Sequence, residues 1–324
     1  MIRLLALFFT GLAFCPLGEA RADYPSRPIT LIVPYAAGGS NDTLSRILAE
    51  HLSRTLGRPV IIDNEPGAAG TTATTRAAHA ASDGYTIIMG NMGTHGAAPA
   101  QYPDLKYDPI NDFTPIGIAA EVPAVIVTRK DFPADSLPDF IAYVRANQHK
   151  VNEAHVGAGA PTYLFCTLLQ SMLGIQTGRV PYRGGAPAMN DLMSGQVDFS
   201  CISLSGAISQ IQGGTLKAIA IASPRRTELI PNVPTTAEGG LPEFVVSTWN
   251  AIFAPKNLDP EVQSKLNEAL KKALDDETTR KRLAEIGFVI PEATRRTPHA
   301  LRELVATEVP RWGRVVNSPL AKQN

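Results

Sequence analysis

The segment "PYAAGGSNDTLSRILAEHL", residues 34–52, places a pair of glycines between an apolar run and an amphipathic pattern. The preceding run "ITLIV", residues 29–33, is short and rich in β-branched residues, as expected of a strand buried on both faces of a parallel sheet. After the glycines, apolar residues recur at helical spacing, namely Leu44, Ile47, Leu48 and Leu52. Gly57 follows where a helix C-cap is expected. The segment therefore predicts a strand, a glycine turn and a helix.

A glycine turn at the start of a helix is suited to holding an anion. The free N–H groups there carry a partial positive charge, and Gly38 and Gly39 let a ligand approach the backbone closely. We expect positive φ at Gly39 and an N-cap role for Ser40, Asn41 or Asp42. No phosphate-binding lysine follows the turn, so nucleotide hydrolysis has no support. A tight connection that binds nothing is the alternative interpretation, because such turns occur throughout α/β proteins.

The composition is that of a globular protein large enough for two lobes. The chain has 324 residues, of which 44% are hydrophobic and 19% are charged, so disorder is not expected. Lysine plus arginine and aspartate plus glutamate number 30 each, so the charge balance marks no nucleic-acid-binding surface. We expect a monomer without a nucleic-acid partner.

The N-terminus has the pattern of a secretory signal peptide. Arg3 precedes the apolar run "LLALFFTGLAF", which is too short to span a bilayer, and residues 20–22 form a small-x-small cleavage signal. We predict a signal peptide over residues 1–22, cleaved after Ala22, and export to the periplasm. An uncleaved membrane anchor is the alternative, and the short apolar run weighs against it.

Export leaves Cys166 and Cys201 in an oxidising compartment. Cys166 falls in a predicted helix, "TYLFCTLLQSML", and Cys201 follows a predicted strand, "GQVDFS". Neighbouring elements of an α/β lobe can bring such residues into bonding range, so we predict a disulfide between them. Two buried free thiols are the alternative.

The strand–turn–helix pattern repeats along the chain, which predicts an α/β fold with two doubly wound, mostly parallel sheets. Two segments interrupt the repeat, "IGIAAEVPAVIVTRKDFP" at residues 116–133 and "FVVSTWNAIFAPKNL" at residues 244–258. We interpret them as strands that cross between two lobes with a ligand cleft between them. The predicted boundaries are residues 23–122 and 249–324 for the first lobe and residues 123–248 for the second.

Enzymatic interpretations find little support in the sequence. "GAGAPT" at residues 157–162 departs from the dinucleotide-binding fingerprint at its last position, and no GxSxG nucleophile motif is present. The six histidines show no metal-binding spacing. We therefore expect no enzymatic activity, no metal and no cofactor.

Several long segments resemble one protein family. "YPSRPITLIVPYAAGGSNDTLSRILAEHLSRTLGRPVIIDNEPGAAG", residues 24–70, resembles the N-terminal signature of the tripartite tricarboxylate transporter solute receptors, also called the Bug family of periplasmic binding proteins. "VPYRGGAPAMNDLMSGQVDF", "GGTLKAIAIASPRR" and "PNVPTTAEGGLPEFVVSTWNAIFAP" are similar to its second-lobe and return-crossing segments, in the family's order. The resemblance implies a two-lobed Venus-flytrap fold that captures a small carboxylate between its lobes and delivers it to a membrane permease.

The resemblance also implies which residues face the ligand. In the family, the turn after the first strand holds a ligand carboxylate through backbone N–H groups and bridging waters, and two later turns face the same cleft. The residues implied are Tyr35, Ala36, Gly38, Gly39, Ser40 and Asp42 in the first turn, Gly159, Ala160 and Thr162 in "GAGAPT", and Gly184, Gly185 and Pro187 in "YRGGAP".

Individual roles follow for some of these residues. Tyr35 is expected to cover the apolar body of the ligand, and Asp42 to orient water or the loop, with a plain helix cap as the alternative for Asp42. Asn91 and Thr94 follow the third predicted strand, and we expect them to offer hydrogen bonds because α/β clefts bind ligands at the carboxyl ends of strands.

The segment "VDFSCISLSG", residues 197–206, departs from the family pattern. Many members carry an acidic residue about where Ile202 stands, and it is associated with the distal part of the ligand. Against an apolar side chain a ligand ammonium would be desolvated without a partner. We therefore expect Ile202 and Ser203 to line a site for a non-amino carboxylate, in particular a dicarboxylate with an apolar or aromatic middle. A one-residue slip of register would instead turn Ile202 away from the cleft.

Together these observations predict a periplasmic receptor that captures a small organic carboxylate for a tripartite tricarboxylate-type secondary transporter. A receptor that senses its ligand for a membrane signalling partner is the alternative, because it would use the same cleft. An enzyme built on this fold is a third possibility, against which the absence of a nucleophile motif weighs.

Overall fold

A computed structural model describes residues 24–157 and 160–318 of the chain. The predicted signal peptide and its cleavage site lie outside these residues. Within the described part of the chain, no helix combines the length and the apolar character needed to cross a membrane.

The first part of the chain alternates strands and helices as the sequence pattern predicts. Its elements are β1 (Ile29–Val33), α1 (Ser40–Leu56), β2 (Val60–Asn64), α2 (Thr71–Ala78), β3 (Thr86–Asn91) and α3 (Ala98–Gln101). The helix α1 buries Leu44, Leu48 and Leu52 on one face. It ends at Gly57, whose φ of 69° lies in the left-handed region that favours glycine.

A long strand, β4 (Phe113–Arg129), leads from this part into the next. The elements that follow are α4 (Leu137–Asn147), β5 (Asn152–His155), α5 (Pro161–Leu173), β6 (Gly178–Pro181), α6 (Gly185–Ser194), β7 (Phe199–Ser203), α7 (Ile208–Gln212) and β8 (Leu216–Ile221). The chain then returns through β9 (Ser247–Pro255) and continues into α8 (Pro260–Asp275), α9 (Glu277–Glu285) and α10 (Pro298–Val316).

The described strands form a nine-stranded sheet with two halves that share β4. The first half has the order β2-β1-β3-β9-β4, and in the second β4 lies between β8 and β7, which is followed by β5 and β6. Strand β4 pairs with β9 as far as Pro123 and with β7 from Ala124 onward, so one strand crosses from half to half. Both crossing strands, β4 and β9, run antiparallel to their neighbours in otherwise parallel sheets. The predicted α/β fold of two lobes joined by crossing strands is confirmed.

Apolar side chains cover both faces of the sheet. Along β4, Ile126 packs into a core cluster that includes Phe199 and Trp312, whereas Val125 and Val127 pack into the cluster on the other face. This alternation follows from the two-residue period of a strand that is buried on both sides. The two clusters fix β4 and with it the position of the neighbouring β7.

The last helix contacts both halves of the molecule. In α10, Trp312 is fully buried, and its ring lies 6.4 Å from that of Phe165 in α5. Arg311 donates to the carbonyl oxygen of Val245 over 3.2 Å. The predicted lobe boundaries place α10 in the first lobe, but the helix also packs against α5 of the second.

Cys166 of α5 and Cys201 of β7 form a disulfide, with their Cα atoms 5.3 Å apart. Both residues are fully buried in the cluster that contains Phe199. Because successive residues of a strand point to opposite faces, Cys201 faces α5 and its neighbour Ile202 faces the other side of the sheet. The disulfide therefore fastens α5 to the strand that carries Ile202.

Candidate ligand-binding site

A cavity of about 490 Å³ lies where the N-terminus of α1 faces the second half of the sheet. Ser40 of α1 lines it from the first half, and its other lining residues come from β5, α5, α6, β7, α7 and the adjoining turns. The volume suits a small organic molecule. None of the described residues that line it is charged.

Three helices begin at this cavity. Its lining includes Ser40 in the first turn of α1, Thr162 in that of α5 and Gly185 in that of α6. The N-cap residues of these three helices make no side-chain capping hydrogen bond, and the same holds for α2, α3 and α7, whereas α4, α8, α9 and α10 are each capped by a serine, aspartate or threonine side chain. The helix starts at the cavity are therefore left open to an external hydrogen-bond acceptor.

The backbone hydrogen bonds of α1 show which of its N–H groups are free of an intrahelical partner. The helical hydrogen-bond ladder starts with the Thr43 N–H, which donates to the Gly39 carbonyl oxygen over 2.9 Å. The N–H groups of Ser40, Asn41 and Asp42 precede that ladder. In α5 the corresponding first bond runs from Leu164 to the residue before the helix, over 3.1 Å. A carboxylate at either helix start would accept hydrogen bonds from the free N–H groups. It would also lie at the positive end of the helix dipole.

Asp42 holds the glycine turn from within. It is only 2% exposed, and its carboxylate accepts the Gly38 N–H over 2.8 Å, Arg46 Nε over 2.9 Å and Asn64 Nδ2 over 3.0 Å. Burial alone would raise the pKa of Asp42, but the hydrogen bonds from Arg46, Gly38 and Asn64 outweigh it and lower that pKa. Asp42 therefore orients the loop, and the Gly38 N–H is committed to it.

Tyr35 points to a different set of partners. Its hydroxyl pairs with the amide of Asn91, at 3.2 Å from Oδ1 and 2.9 Å from Nδ2. Burial raises the pKa of Tyr35 to about 12, although the Asn91 hydrogen bond opposes the rise. Asn91 Oδ1 also accepts the N–H groups of Gly93 and Thr94, over 2.9 and 3.1 Å. The group braces the end of β3 against the turn after β1, and none of its residues lines the cavity.

The backbone conformation of the first glycine turn differs from the expected one. Gly39 has φ of −76°, an ordinary value, so the expected positive φ at Gly39 is wrong. Gly38 has φ of +86° and Gly184 has φ of +147°. A Cβ at Gly38, Gly184 or Gly185 would meet no described atom within 4 Å, so the space beside these glycines is open. The left-handed residue of the first turn is Gly38, and its N–H donates to the Asp42 carboxylate.

The strand β7 contributes Ser200 and Ile202 to the cavity wall, two residues apart and therefore on one face. Ile202 is 9% exposed, pairs in register with Val125 of β4 and lines the cavity, so its side chain faces the cavity and not the opposite side of the sheet. Ser203 also lines the cavity, and its Oγ lies 3.1 Å from Thr248 Oγ1.

The structure gathers only part of the predicted set around the cavity. Ser40, Thr162, Gly185, Ile202 and Ser203 line it. Four predicted residues are sequence neighbours of lining residues but do not line the cavity themselves, namely Gly39, Ala160, Gly184 and Pro187. Tyr35, Ala36, Gly38, Asp42, Asn91 and Thr94 lie outside the lining, and Gly38 and Asp42 line a separate groove beside Arg46. Gly159 lies outside the described residues.

Other lining residues had no place in the predicted set. Met189 and Leu192 follow Gly185 at helical spacing, and Ser200 precedes Ile202 at strand spacing, so periodicity alone would have found them. Ser205 and Gln210 come from the turn and short helix after β7. No local sequence signal marks them, because their position depends on how the chain leaves the strand.

The family model of the tripartite tricarboxylate transporter family receptors matches residues 44–319. The chain belongs to this family. The receptor is 35% identical over 325 residues to the protein BugT of Bordetella pertussis, and the match covers 99% of each chain.

Two solved structures share the fold of the receptor closely. MatC from Rhodopseudomonas palustris, solved with bound malate, is 41% identical with a TM-score of 0.78, covering 91% of this chain and 100% of that chain. A second R. palustris protein, solved with adipate, is 31% identical with a TM-score of 0.79, covering 91% of this chain and 97% of that chain. Membership of this family makes the protein a solute-binding receptor and not an enzyme.

Proposed function

We propose that the receptor captures a small non-amino dicarboxylate in the cavity at Ser40 and presents it to the membrane permease of a tripartite tricarboxylate-type transporter. The observation that carries this proposal is the meeting of three helix starts without side-chain caps at a cavity whose described lining has no charged residue. Helix N-termini can bind carboxylates without a cation, because the backbone N–H groups and the dipole complement the charge.

The apolar part of the cavity wall indicates that the body of the ligand is apolar. Ile202, Met189 and Leu192 line the cavity, so the carbon chain between two carboxylates would be buried there at a gain of roughly 25 cal/mol per Å². The malate and adipate named with the two related structures are both dicarboxylates, which supports the proposed class. The periplasm is the proposed compartment, in keeping with the signal-peptide pattern and the disulfide.

A thermal-shift screen of mono-, di- and tricarboxylates tests the proposal. Co-purified ligand is first removed by unfolding and refolding. A dicarboxylate at about 100 times its dissociation constant should then stabilise the fold by roughly 2.7 kcal/mol. A panel in which no acid raises the melting temperature would contradict the proposal.

The non-amino preference rests on Ile202 and needs its own measurement. Calorimetric titration with pairs of acids, each a dicarboxylate and its amino derivative, should show weaker binding of every amino derivative, because no described lining residue offers a negative charge to an ammonium group. Tighter binding of the amino derivatives across the set would overturn this part of the proposal.

A further inference from the structure

The polar side chains of the cavity differ in whether their hydrogen-bonding groups are already used. Ser200 Oγ donates to a carbonyl oxygen of β5 over 2.7 Å, and Ser203 Oγ pairs with Thr248 Oγ1. Thr162 Oγ1 accepts the N–H of Val156 over 3.1 Å. These three hydroxyls are held by the protein, which fixes the cavity wall and leaves them less to offer a ligand.

Ser40 Oγ, exposed at the start of α1, has no hydrogen-bond partner in the described part of the chain and belongs to the end of the cavity where a carboxylate is proposed. Gln210 and Ser205 lie away from the start of α1 and are less exposed. Both side chains are partly buried and line the cavity, and neither has a hydrogen-bond partner among residues 24–157 and 160–318. Gln210 also carries the only side-chain amide in the described lining. A ligand that enters the cavity displaces water from these groups, so a ligand that supplies a hydrogen bond in its place is favoured.

The backbone that carries this pair is fixed from behind. Ser205 lies in the 3-10 turn Leu204–Gly206, and a Cβ built on Gly287 would lie 3.3 Å from its backbone nitrogen. The helix α7 starts directly after Ala207, which is fully buried. The backbone positions of the pair are therefore set by the fold, and the two side chains start from the cavity wall.

The chemistry of the pair selects a neutral polar substituent. The amide of Gln210 offers both donors and an acceptor, and the hydroxyl of Ser205 offers one of each kind, which suits a hydroxyl or a keto oxygen. A further charge on the ligand would meet no opposite charge in the described wall.

We propose that Gln210, assisted by Ser205, is a specificity-determining residue that selects dicarboxylates bearing a hydroxyl or keto oxygen on the carbon chain. This inference rests on the proposed function, since it concerns the same cavity. It adds a preference among dicarboxylates that the open helix starts do not provide, because every dicarboxylate presents the same two end groups to them.

The test is calorimetric titration with four-, five- and six-carbon dicarboxylates, each as the parent acid, its 2-hydroxy derivative and its 2-keto derivative. The wild-type protein should bind at least one derivative about tenfold more tightly than its parent. Gln210→Met, which keeps the length of the side chain, should lose that preference and still bind the parent acid. Gln210→Ala, measured alongside, should show the same loss, and Gln196→Met, at an exposed glutamine outside the cavity, should keep the wild-type preference.

Three results would overturn the inference, and they are distinguishable. If the wild-type protein binds the parent acids and their derivatives equally, or prefers the parents, Gln210 selects nothing. If both Gln210 variants keep the preference, another group provides it. If the wild-type protein binds none of the nine acids, the proposed function is wrong, and this inference is wrong as a consequence.

Discussion

The indole N–H of Trp249 donates to Oε2 of Glu308 over 3.1 Å, and this contact joins the start of the crossing strand β9 to α10. Trp312 donates to the same oxygen over 2.7 Å, and Arg311, which holds the Val245 carbonyl, donates to the other carboxylate oxygen over 3.0 Å. Both tryptophans of the chain thus share one buried carboxylate beside the crossing strands. Of these contacts, only that of Arg311 with Val245 joins residues of the two predicted lobes, so a rotation of one half against the other must strain or rearrange it.

Ligand binding should therefore be visible in tryptophan fluorescence. Closure of two lobes joined by crossing strands moves Val245 and Phe165 relative to α10 and so changes the surroundings of Trp312. We expect the acid with the largest thermal shift to change the emission of the wild-type protein and to reduce the radius of gyration in small-angle scattering. In Trp312→Phe, which removes the tryptophan that contacts α5, the emission change should be smaller. A saturated protein with unchanged emission and radius would contradict hinge closure.

The disulfide should contribute measurably to stability. Cys166 and Cys201 are 35 residues apart, and closing a loop of that length is worth roughly 4 kcal/mol in the chain-entropy treatment. Mass spectrometry of the non-reduced protein should find the two peptides joined, and the Cys166→Ala, Cys201→Ala double variant should unfold at lower denaturant. Complete alkylation of both thiols without reductant would contradict the bond.

The first glycine turn offers a matched pair of substitutions. Gly39→Val should remain folded, because φ at Gly39 is ordinary and the nearest atom to a Cβ is 3.6 Å away, with a modest fall in melting temperature because valine is a poorer N-cap, and should abolish ligand binding by adding bulk at the start of α1. Gly38→Val should destabilise by about 1–2 kcal/mol, because Gly38 has φ of +86°. Wild-type affinity in a folded Gly39→Val protein would remove this turn from the site.

Much of this architecture could be predicted from the sequence. The buried run before Pro34, the helix face with Leu44 and Leu48, and the change of partner at Pro123 all follow from local periodicity and from proline in a strand-like run. The long motifs indicated the family, and the family implied a ligand cleft between two lobes. These features are determined by residues that are close together in the chain.

The parts that could not be predicted depend on contacts distant in sequence. Asp42 takes the Gly38 N–H because Asn64, from β2, and Arg46 complete its hydrogen bonds, and no pattern within the turn contains that information. Tyr35 faces Asn91 for a similar reason. The place of Gln210 in the cavity depends on how the chain turns after β7, which Gly287 supports from a segment far along the chain.

A buried acid gives the protein a pH dependence of stability. Glu153 is fully buried, and burial raises its pKa to about 8, although Arg179, 3.6 Å away, and Gln170 oppose the rise. Because the folded pKa lies above the unfolded one, near 4.5, the stabilising contribution is complete below pH 4.5 and is lost as the pH rises through 8.

Urea unfolding at pH 5 and pH 8.5 checks this expectation. The free energy of unfolding of the wild-type protein should fall more between the two pH values than that of Glu153→Gln, which cannot ionise. Glu228→Gln, at an exposed carboxyl group, should follow the wild type. An equal fall in the wild-type protein and Glu153→Gln would show that Glu153 does not titrate in this range.

A crystal structure with a saturating dicarboxylate tests the central claim most directly. We predict that one ligand carboxylate lies at the start of α1, with an oxygen roughly 2.7–3.2 Å from the Ser40 or Asn41 nitrogen or from a water held by them, and that the other lies at the start of α5 or α6. The carbon chain should lie against Ile202. A dicarboxylate held elsewhere, or in this cavity by an arginine or lysine side chain in place of the helix starts, would contradict the account.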